Sequence, residues 1–296
     1  MADGRKRSSH VNGSFPHYYS ERGVAAREAD VDPRVRAMRP DWFNGRRCLD
    51  IGCHQGNVTL AIGKRWCCAS IVGVDIDPVL VERARAALAR LKVELVPVAF
   101  APAAAPAAAS EAPAAAVSKK RRADGSAKPT AAAPPPRPYP VALALQMGLL
   151  APARALVSPA AVFPHNVRFE AADATRAAEL FADGSFETIM CLSTSKWVHL
   201  NGGDAALMAL FAQVYRMLAD GGAFVLEPQP WSSYRRKRHV SDASRAHYPQ
   251  IRLRPERFEE YLIDTVGFRA VEQVRVDYGA SVSKGFASRP LFLFIK

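Results

Sequence analysis

Two short apolar runs that each end on an aspartate, Arg47-Cys48-Leu49-Asp50 and Val72-Gly73-Val74-Asp75, narrow the choice of fold more than any other stretch of this chain. The first continues through Ile51-Gly52-Cys53-His54-Gln55-Gly56 and resumes as the amphipathic series Val58, Leu60, Ala61 and Ile62. That is the pattern of a strand, a tight turn and a helix. Glycine in such a turn lets the backbone approach a ligand closely. The second run leads into Asp77-Pro78, and Leu80, Ala84, Ala87, Leu88 and Leu91 then repeat at helical spacing. Asp77 reads as a helix cap before it reads as a ligand contact, with Pro78 at the first helical position.

The same alternation runs through the rest of the chain. Strands are predicted at about 46–51, 70–75, 167–173, 186–192 and 223–227, and helices at about 57–65, 78–91 and 203–218, the last closed by Asp220-Gly221-Gly222. A short helix over 31–38 and an apolar plug at Trp42-Phe43 precede the first strand; a helix around 255–264 and strands at 269–276 and 291–295 finish the chain. Phe186 to Leu192 is almost wholly apolar, as a central parallel strand should be. Parallel strands need right-handed crossovers, so this order predicts an α/β fold with a doubly wound, mostly parallel sheet. Ligands bind such sheets at the carboxyl ends of the strands, near the switch in strand order. Residues 1–14 are polar and basic and are expected to form a disordered arm. Ala and Pro dominate about 97–162, which is expected to be a disordered insertion interrupting one domain at 15–296; within it Val141 to Leu150 is apolar enough for a short helix.

Lys and Arg total 40 against 28 Asp and Glu, a net charge of +12, which points to a polyanionic partner. Two clusters concentrate the charge, Lys119-Lys120-Arg121-Arg122 and Arg235-Arg236-Lys237-Arg238-His239; the first reads equally as a nuclear-import signal. The five cysteines show no CxxC pair and no metal-ligand spacing, so buried free thiols in a reducing compartment, and no metal, are expected. No apolar run reaches the roughly 18 residues of a membrane-spanning helix, and no apolar signal segment follows the basic N-terminus.

The turn reads Asp50-x-Gly52-x-x-x-Gly56 and not GxGxxG, with His54 where the middle glycine of a dinucleotide loop would stand. Asp75 ends the second strand, where a carboxylate can accept both hydroxyls of a ribose. The pair fits an S-adenosylmethionine pocket better than a dinucleotide site, since that cofactor carries no phosphate to cradle. Asp173, at the end of the third strand, is a candidate for the adenine amino group or a solvated carboxylate. Tyr18 and Tyr19 precede the first strand, either packed or folded over the pocket. Lys196-Trp197-Val198-His199-Leu200-Asn201 follows the fourth strand at its carboxyl end. After the fifth, Leu226-Glu227-Pro228-Gln229-Pro230-Trp231-Ser232-Ser233-Tyr234 runs into the basic cluster. Its two prolines are expected to hold it extended, with Glu227, Gln229 and Trp231 at the pocket mouth. Basic residues interleaved with Trp231 and Tyr234 suit a single-stranded RNA end, through phosphate contacts and base stacking.

Taken together, Trp42-Phe43, Leu49-Asp50-Ile51-Gly52-Cys53, Val74-Asp75-Ile76-Asp77, Lys196 to Asn201, Leu226 to Tyr234 and Ser283-Lys284-Gly285-Phe286 resemble the RNA 5′-methylphosphate capping enzymes. The match runs from about Tyr18 to the C-terminus, excluding the insertion. The resemblance implies a class I, Rossmann-like methyltransferase with an antiparallel C-terminal strand, using S-adenosylmethionine to methylate the 5′-terminal phosphate of a small noncoding RNA such as 7SK or U6. It implies cofactor contacts from Tyr18 or Tyr19, Arg34 or Arg36, Asp50, Gly52, Cys53, Asp75, Ile76, Asp173 and Leu192. It implies RNA contacts from Trp197, Trp231, Tyr234, Arg235, Arg236, Lys237, Arg238 and Lys284. Here the family often has Asn in place of His54, and Ala172-Asp173 stands where uncharged polar residues occur.

A terminal phosphate has a second pKa of roughly 6, so it is mostly dianionic at neutral pH and needs alignment more than a base. Lys196, Arg235, Arg236, Lys237 and Lys284 are the expected phosphate cations, with Tyr18 or Tyr19 and His199 as hydrogen-bond partners. The expected protein is a nuclear monomer, with the cytoplasm as the alternative, acting on an RNA end among ribonucleoprotein partners and on no membrane. Two other readings compete: a methyltransferase for protein arginine or another small substrate, and an RNA-binding scaffold with vestigial activity.

Overall fold

The structure is a computed structural model that describes residues 11–13, 32–94, 162–278 and 289–296. All of these fall in one of the two units into which the chain divides, Met1–Leu95 with Val157–Lys296. Most of the expected insertion, its short helix included, lies outside the described residues, as do Tyr18, Tyr19 and Ser283 to Phe286.

In chain order the elements are α1 (Pro33–Ala37), β1 (Arg47–Ile51), α2 (Asn57–Arg65), β2 (Ser70–Asp75), α3 (Pro78–Glu94), β3 (Val167–Ala171), β4 (Phe186–Leu192), α4 (Ser195–Met217), β5 (Leu218–Glu227), α5 (Trp231–Lys237), α6 (Asp242–His247), α7 (Phe258–Tyr261), β6 (Ala270–Val274) and β7 (Leu291–Ile295). Asp77 caps α3, its Oδ1 accepting from the backbone N–H of Val79 at 2.9 Å. The seven strands form one sheet in the order β3-β2-β1-β4-β5-β7-β6, with β7 antiparallel to both neighbours and the remaining pairs parallel. The expected antiparallel C-terminal strand is therefore β7, and the strand order reverses between β1 and β4.

Alternation within each strand builds a core on either face. Cys48, Met190, Val225 and Leu293 join the apolar layer under α2 and α3, which holds Val58, Ile62, Val81 and Ala84. Leu49, Ile51, Ile189, Phe224 and Phe294 point the other way, to Leu207, Leu210, Phe211 and Val214 of α4 and to Phe258 and Leu262. Each such side chain contributes about 1.5–3 kcal/mol by leaving water. The Trp42-Phe43 plug closes the first layer, Phe43 stacking on Trp66 with centroids 4.6 Å apart. Cys48, Cys53, Cys68 and Cys191 are buried thiols, but Cys67 is exposed, against expectation.

Four boundaries differ from the sequence reading. The helix expected at 203–218 begins at Ser195, with a kink at Gly203 (φ 67, ψ −170), so Lys196 to Asn201 is helical. Gly203 disrupts the apolar repeat at the kink, and the repeat is what the sequence displays. Asp220-Gly221-Gly222 does not end that helix: it stops at Met217, and β5 already runs from Leu218. The segment after β5 is extended only through Pro230; α5 starts at Trp231, because the two prolines leave the N–H groups beyond them unimpeded. The helix expected near 255–264 is a short 3-10 turn, α7 and a π turn in succession, Pro255 to Val266.

Candidate active site

Beyond the carboxyl ends of β1 and β4 lies a cavity of about 510 Å³. This is the crevice that a doubly wound sheet opens where its strand order reverses. Asp50, Gly52, Cys53, Asp75, Ile76, Asp173 and Leu192, all expected cofactor contacts, line it together. The loop geometry explains the spacing of its residues. Gly52 has φ 77, and a Cβ there would overlap the Thr194 hydroxyl; Gly56 has φ 80. His54 takes a left-handed conformation too, with φ 55, which histidine tolerates better than most residues. Its backbone N–H then donates to Asp75 Oδ2 at 2.8 Å, while Asp77 N–H donates to Asp75 Oδ1 at 2.9 Å. A carboxylate oxygen has room for a second donor, so Asp75 is oriented for further hydroxyls by the loop it anchors. Burial raises its pKa above the ordinary value, against the hydrogen bonds from Asp77 and His54.

Asp50 is fully buried and accepts from the Thr59 hydroxyl at 2.6 Å. Burial pushes its pKa to about 6, opposed by the Thr59 hydrogen bond and the charge of Arg34. Asp173 caps the following 3-10 turn, accepting from Thr175 N–H at 2.9 Å, so it is both cap and cavity wall.

The opposite wall is cationic. Lys196, Trp197, Arg236, Lys237 and Arg289 line the same cavity. Lys196 is buried, its Nζ donating to Ser233 Oγ at 3.0 Å and lying 4.3 Å from the Trp197 ring centroid. Burial lowers its pKa to about 7, and the charges of Arg289, Lys237 and Arg236 push in the same direction. Val11–Gly13, within the expected disordered arm, meets this wall: Asn201 Nδ2 donates to the Val11 carbonyl at 3.1 Å. Asn12 and Gly13 line the cavity.

The structure moves several expected site residues elsewhere. His199 and Tyr234 are both fully buried outside the cavity lining, bonded to each other at 3.3 Å, with His199 Nε2 2.6 Å from Asp204. They fasten α5 to the first turns of α4. Fully buried off the cavity lining, their rings present no open face to a base or a phosphate in this structure, against the contacts expected of them. Trp231 is half-buried in a stack, 4.9 Å from Tyr248 and 5.0 Å from the Arg254 guanidinium, so its ring packs against protein. Arg235 and Arg238 are off the cavity, as is exposed Arg36; Arg34 is the arginine that lines it. Glu227, expected at the mouth, is fully buried and accepts from Arg34 Nη1 at 3.0 Å. Arg34 also donates from Nη2 to Asp32 Oδ2 at 2.7 Å. Among residues that sequence reasoning missed are Thr59, on the helix directly after Asp50, and Ser193, Ser233 and Arg289, the last three brought to the cavity only by the fold.

The fold and this pocket define a class I S-adenosylmethionine-dependent methyltransferase. The cofactor fits the residues present: Asp75 is preset to receive ribose hydroxyls, Ile76 offers apolar surface beside it, and Gly52 leaves the backbone bare. Residues 48–117 match the family model described as "Methyltransferase domain", and residues 186–296 match "Bicoid-interacting protein 3 (Bin3)". A probable RNA methyltransferase of Arabidopsis thaliana is 35% identical over 96% of this chain and 80% of its own length. The 7SK snRNA methylphosphate capping enzyme of Homo sapiens is 34% identical over 96% of this chain, which spans 39% of that protein. A U6 snRNA methylphosphate capping enzyme of Drosophila melanogaster is 27% identical, over 96% and 74%. Among solved structures, a chain from the complex between the Haloferax volcanii Trm112 methyltransferase activator and the putative methyltransferase has the same fold, with TM-score 0.50, 12% identity and coverage of 98% of this chain and 99% of that one. The chain belongs to the Bicoid-interacting protein 3 family of RNA methyltransferases.

Proposed function

We propose that this protein methylates an oxygen of the 5′-terminal phosphate of a small noncoding RNA, of the 7SK or U6 kind. The observation that carries the reading is the division of one cavity into an acidic wall, Asp50 and Asp75, and a cationic wall, Lys196, Arg236 and Lys237. S-adenosylmethionine, when bound, supplies a methyl group on a cationic sulfur. Asp75, Gly52, Ile76 and Leu192 hold that cofactor, with Asp173 at the adenine end. Lys196, Arg236 and Lys237 hold the phosphate and Trp197 shields it from water, where excluded solvent strengthens each charge contact. A dianionic phosphate oxygen needs no base, and none of these cations has to take a proton. Arg235 and Arg238, outside the cavity, meet the RNA backbone further along, with Lys284 as a further contact and Tyr18 or Tyr19 closing the pocket. We place the enzyme in the nucleus, as a monomer beside ribonucleoprotein partners.

An arginine side chain as acceptor would meet like charge at Lys196, which argues against the small-substrate reading. Incubation with methyl-labelled S-adenosylmethionine and total small RNA, followed by digestion to nucleotides, tests the proposal. Label is expected in the 5′-terminal nucleotide; label in protein, or tight RNA binding without any label, overturns it.

A further inference from the structure

We propose that Arg289 is the residue by which the site tells a phosphate-bearing RNA end from a hydroxyl end, and that the buried Ser193–Glu227 pair fixes it for that task. The inference rests on the phosphate-methylation reading above. Arg289 stands two residues before β7, part-buried, and lines the cavity with Lys196. Its Nη1 donates to Ser193 Oγ at 2.7 Å. The Ser193 hydroxyl in turn donates to Glu227 Oε2. Glu227 also accepts from Arg34 Nη1 at 3.0 Å and from the Tyr278 hydroxyl at 3.2 Å. A buried carboxylate at the end of β5 thus holds a serine at the end of β4, and the serine holds the arginine.

Ser193 keeps a left-handed backbone, with φ 59, which a non-glycine residue adopts only where its surroundings over-determine it. Those surroundings are visible: the Ser193 N–H donates to the Glu227 carbonyl at 3.0 Å, and Gln229 Nε2 donates to the Ser193 carbonyl. Strain of this kind concentrates at sites where a side chain must be aimed. The aim here is into a wall that already crowds like charges, since Arg289, Lys237 and Arg236 all act on Lys196. Cations brought together in this way form a site for an anion. A planar guanidinium matches two phosphate oxygens at once, whereas an ammonium is a point charge, so Arg289 is better shaped than Lys196 to read a terminal phosphate group. Of the other two cavity arginines, Arg34 is directed onto Asp32 and Glu227, and Arg236 is an exposed residue of α5.

The test uses the full chain and two RNA oligonucleotides of one sequence, one with a 5′-phosphate and one with a 5′-hydroxyl, with dissociation constants measured by fluorescence anisotropy. The wild type is expected to prefer the phosphate end by about tenfold, the size of one charge-assisted contact. Arg289→Ala is expected to lose most of that preference by weakening the phosphate RNA alone, the remainder coming from Lys196, Arg236 and Lys237, with Arg289→Lys recovering part of what is lost. Ser193→Ala is expected to lose part of it while S-adenosylmethionine binding is unchanged. Arg235→Ala is expected to weaken both RNAs equally. A full preference retained in Arg289→Ala overturns the assignment, as does loss of cofactor binding in both Arg289 variants, which would mark the residue as structural. A wild type without any preference overturns the phosphate-methylation reading, and this inference with it.

Discussion

The two walls of the cavity are built in different ways. The acidic wall comes from one continuous β1-α2-β2 unit, where Asp50 lies within a few residues of the glycines that shape the loop and Asp75 ends the next strand. The cationic wall is drawn from the start of α4, from α5 and from Arg289, two residues before β7, and its parts meet only because β4, β5 and β7 are neighbours in the sheet. A local wall can be preset by backbone geometry, whereas a dispersed wall needs fasteners. Those fasteners are buried polar contacts: Lys196 to Ser233, His199 to Tyr234 and Asp204, and Arg289 through Ser193 to Glu227. The contrast predicts that the walls fail separately.

The largest effect is expected at Asp75. Asp75→Ala should weaken S-adenosylmethionine binding by roughly 100-fold, from the loss of two hydrogen bonds to a charged acceptor, and leave RNA affinity within about twofold. Titration calorimetry with each ligand checks this, and parallel loss of both would merge the two walls into one.

Asp50 tests the cost of the acidic wall. Its folded pKa, about 6, lies above the ordinary carboxylate value, so its contribution to stability is fully present below that value and is lost as pH rises through about 6. Asp50→Asn, which cannot ionise, should therefore gain on the wild type from pH 5 to pH 8, by about 1.4 kcal/mol. Urea unfolding at both pH values measures the gap; a gap that closes toward pH 8 would contradict the assignment.

His199→Ala probes a fastener of the other wall. Removing the ring leaves buried Tyr234 and half-buried Asp204 short of a partner and should cost about 1–3 kcal/mol in thermal unfolding. The RNA KM should rise while cofactor affinity and kcat at saturating RNA hold. A collapse of kcat alone would return His199 to the chemistry.

Lys196 should give the cationic wall its pH dependence. Its folded pKa is lowered to about 7, so the ammonium is charged below that pH and discharges above it. RNA affinity should fall several-fold between pH 6.5 and 8.5, and Lys196→Arg, which stays charged, should flatten the fall. The smallest effect is expected outside the cavity, where Arg238→Ala should lower the slope of log affinity against log salt by about 1.

The acidic wall was legible in the sequence because each of its signals is local. An aspartate at a strand end, glycines at positive φ and a proline after a capping aspartate all lie within one short segment. The sheet was legible for the same reason, through apolar runs of strand length. The cationic wall was legible in its composition but not in its geometry. Trp231 and Tyr234 beside a basic run read as a stacking surface, yet once α5 forms from Trp231 its register turns Tyr234 inward onto His199 and lays Trp231 on Tyr248. Which face of a seven-residue helix meets the core depends on what packs beneath it, and α4 lies far off in sequence. Arg289 and Ser193 gave no signal, since an arginine before a strand and a serine after one are common. Only the order β4-β5-β7 brings them together.

The measurement that bears most directly on the central claim is the chemical position of the transferred methyl group. A 5′-phosphorylated small RNA, incubated with the full chain and methyl-labelled S-adenosylmethionine, should carry label that stays on the RNA and makes its 5′ phosphate resistant to alkaline phosphatase. Label recovered on a base or a ribose, with the terminal phosphate still removed by phosphatase, would contradict the account.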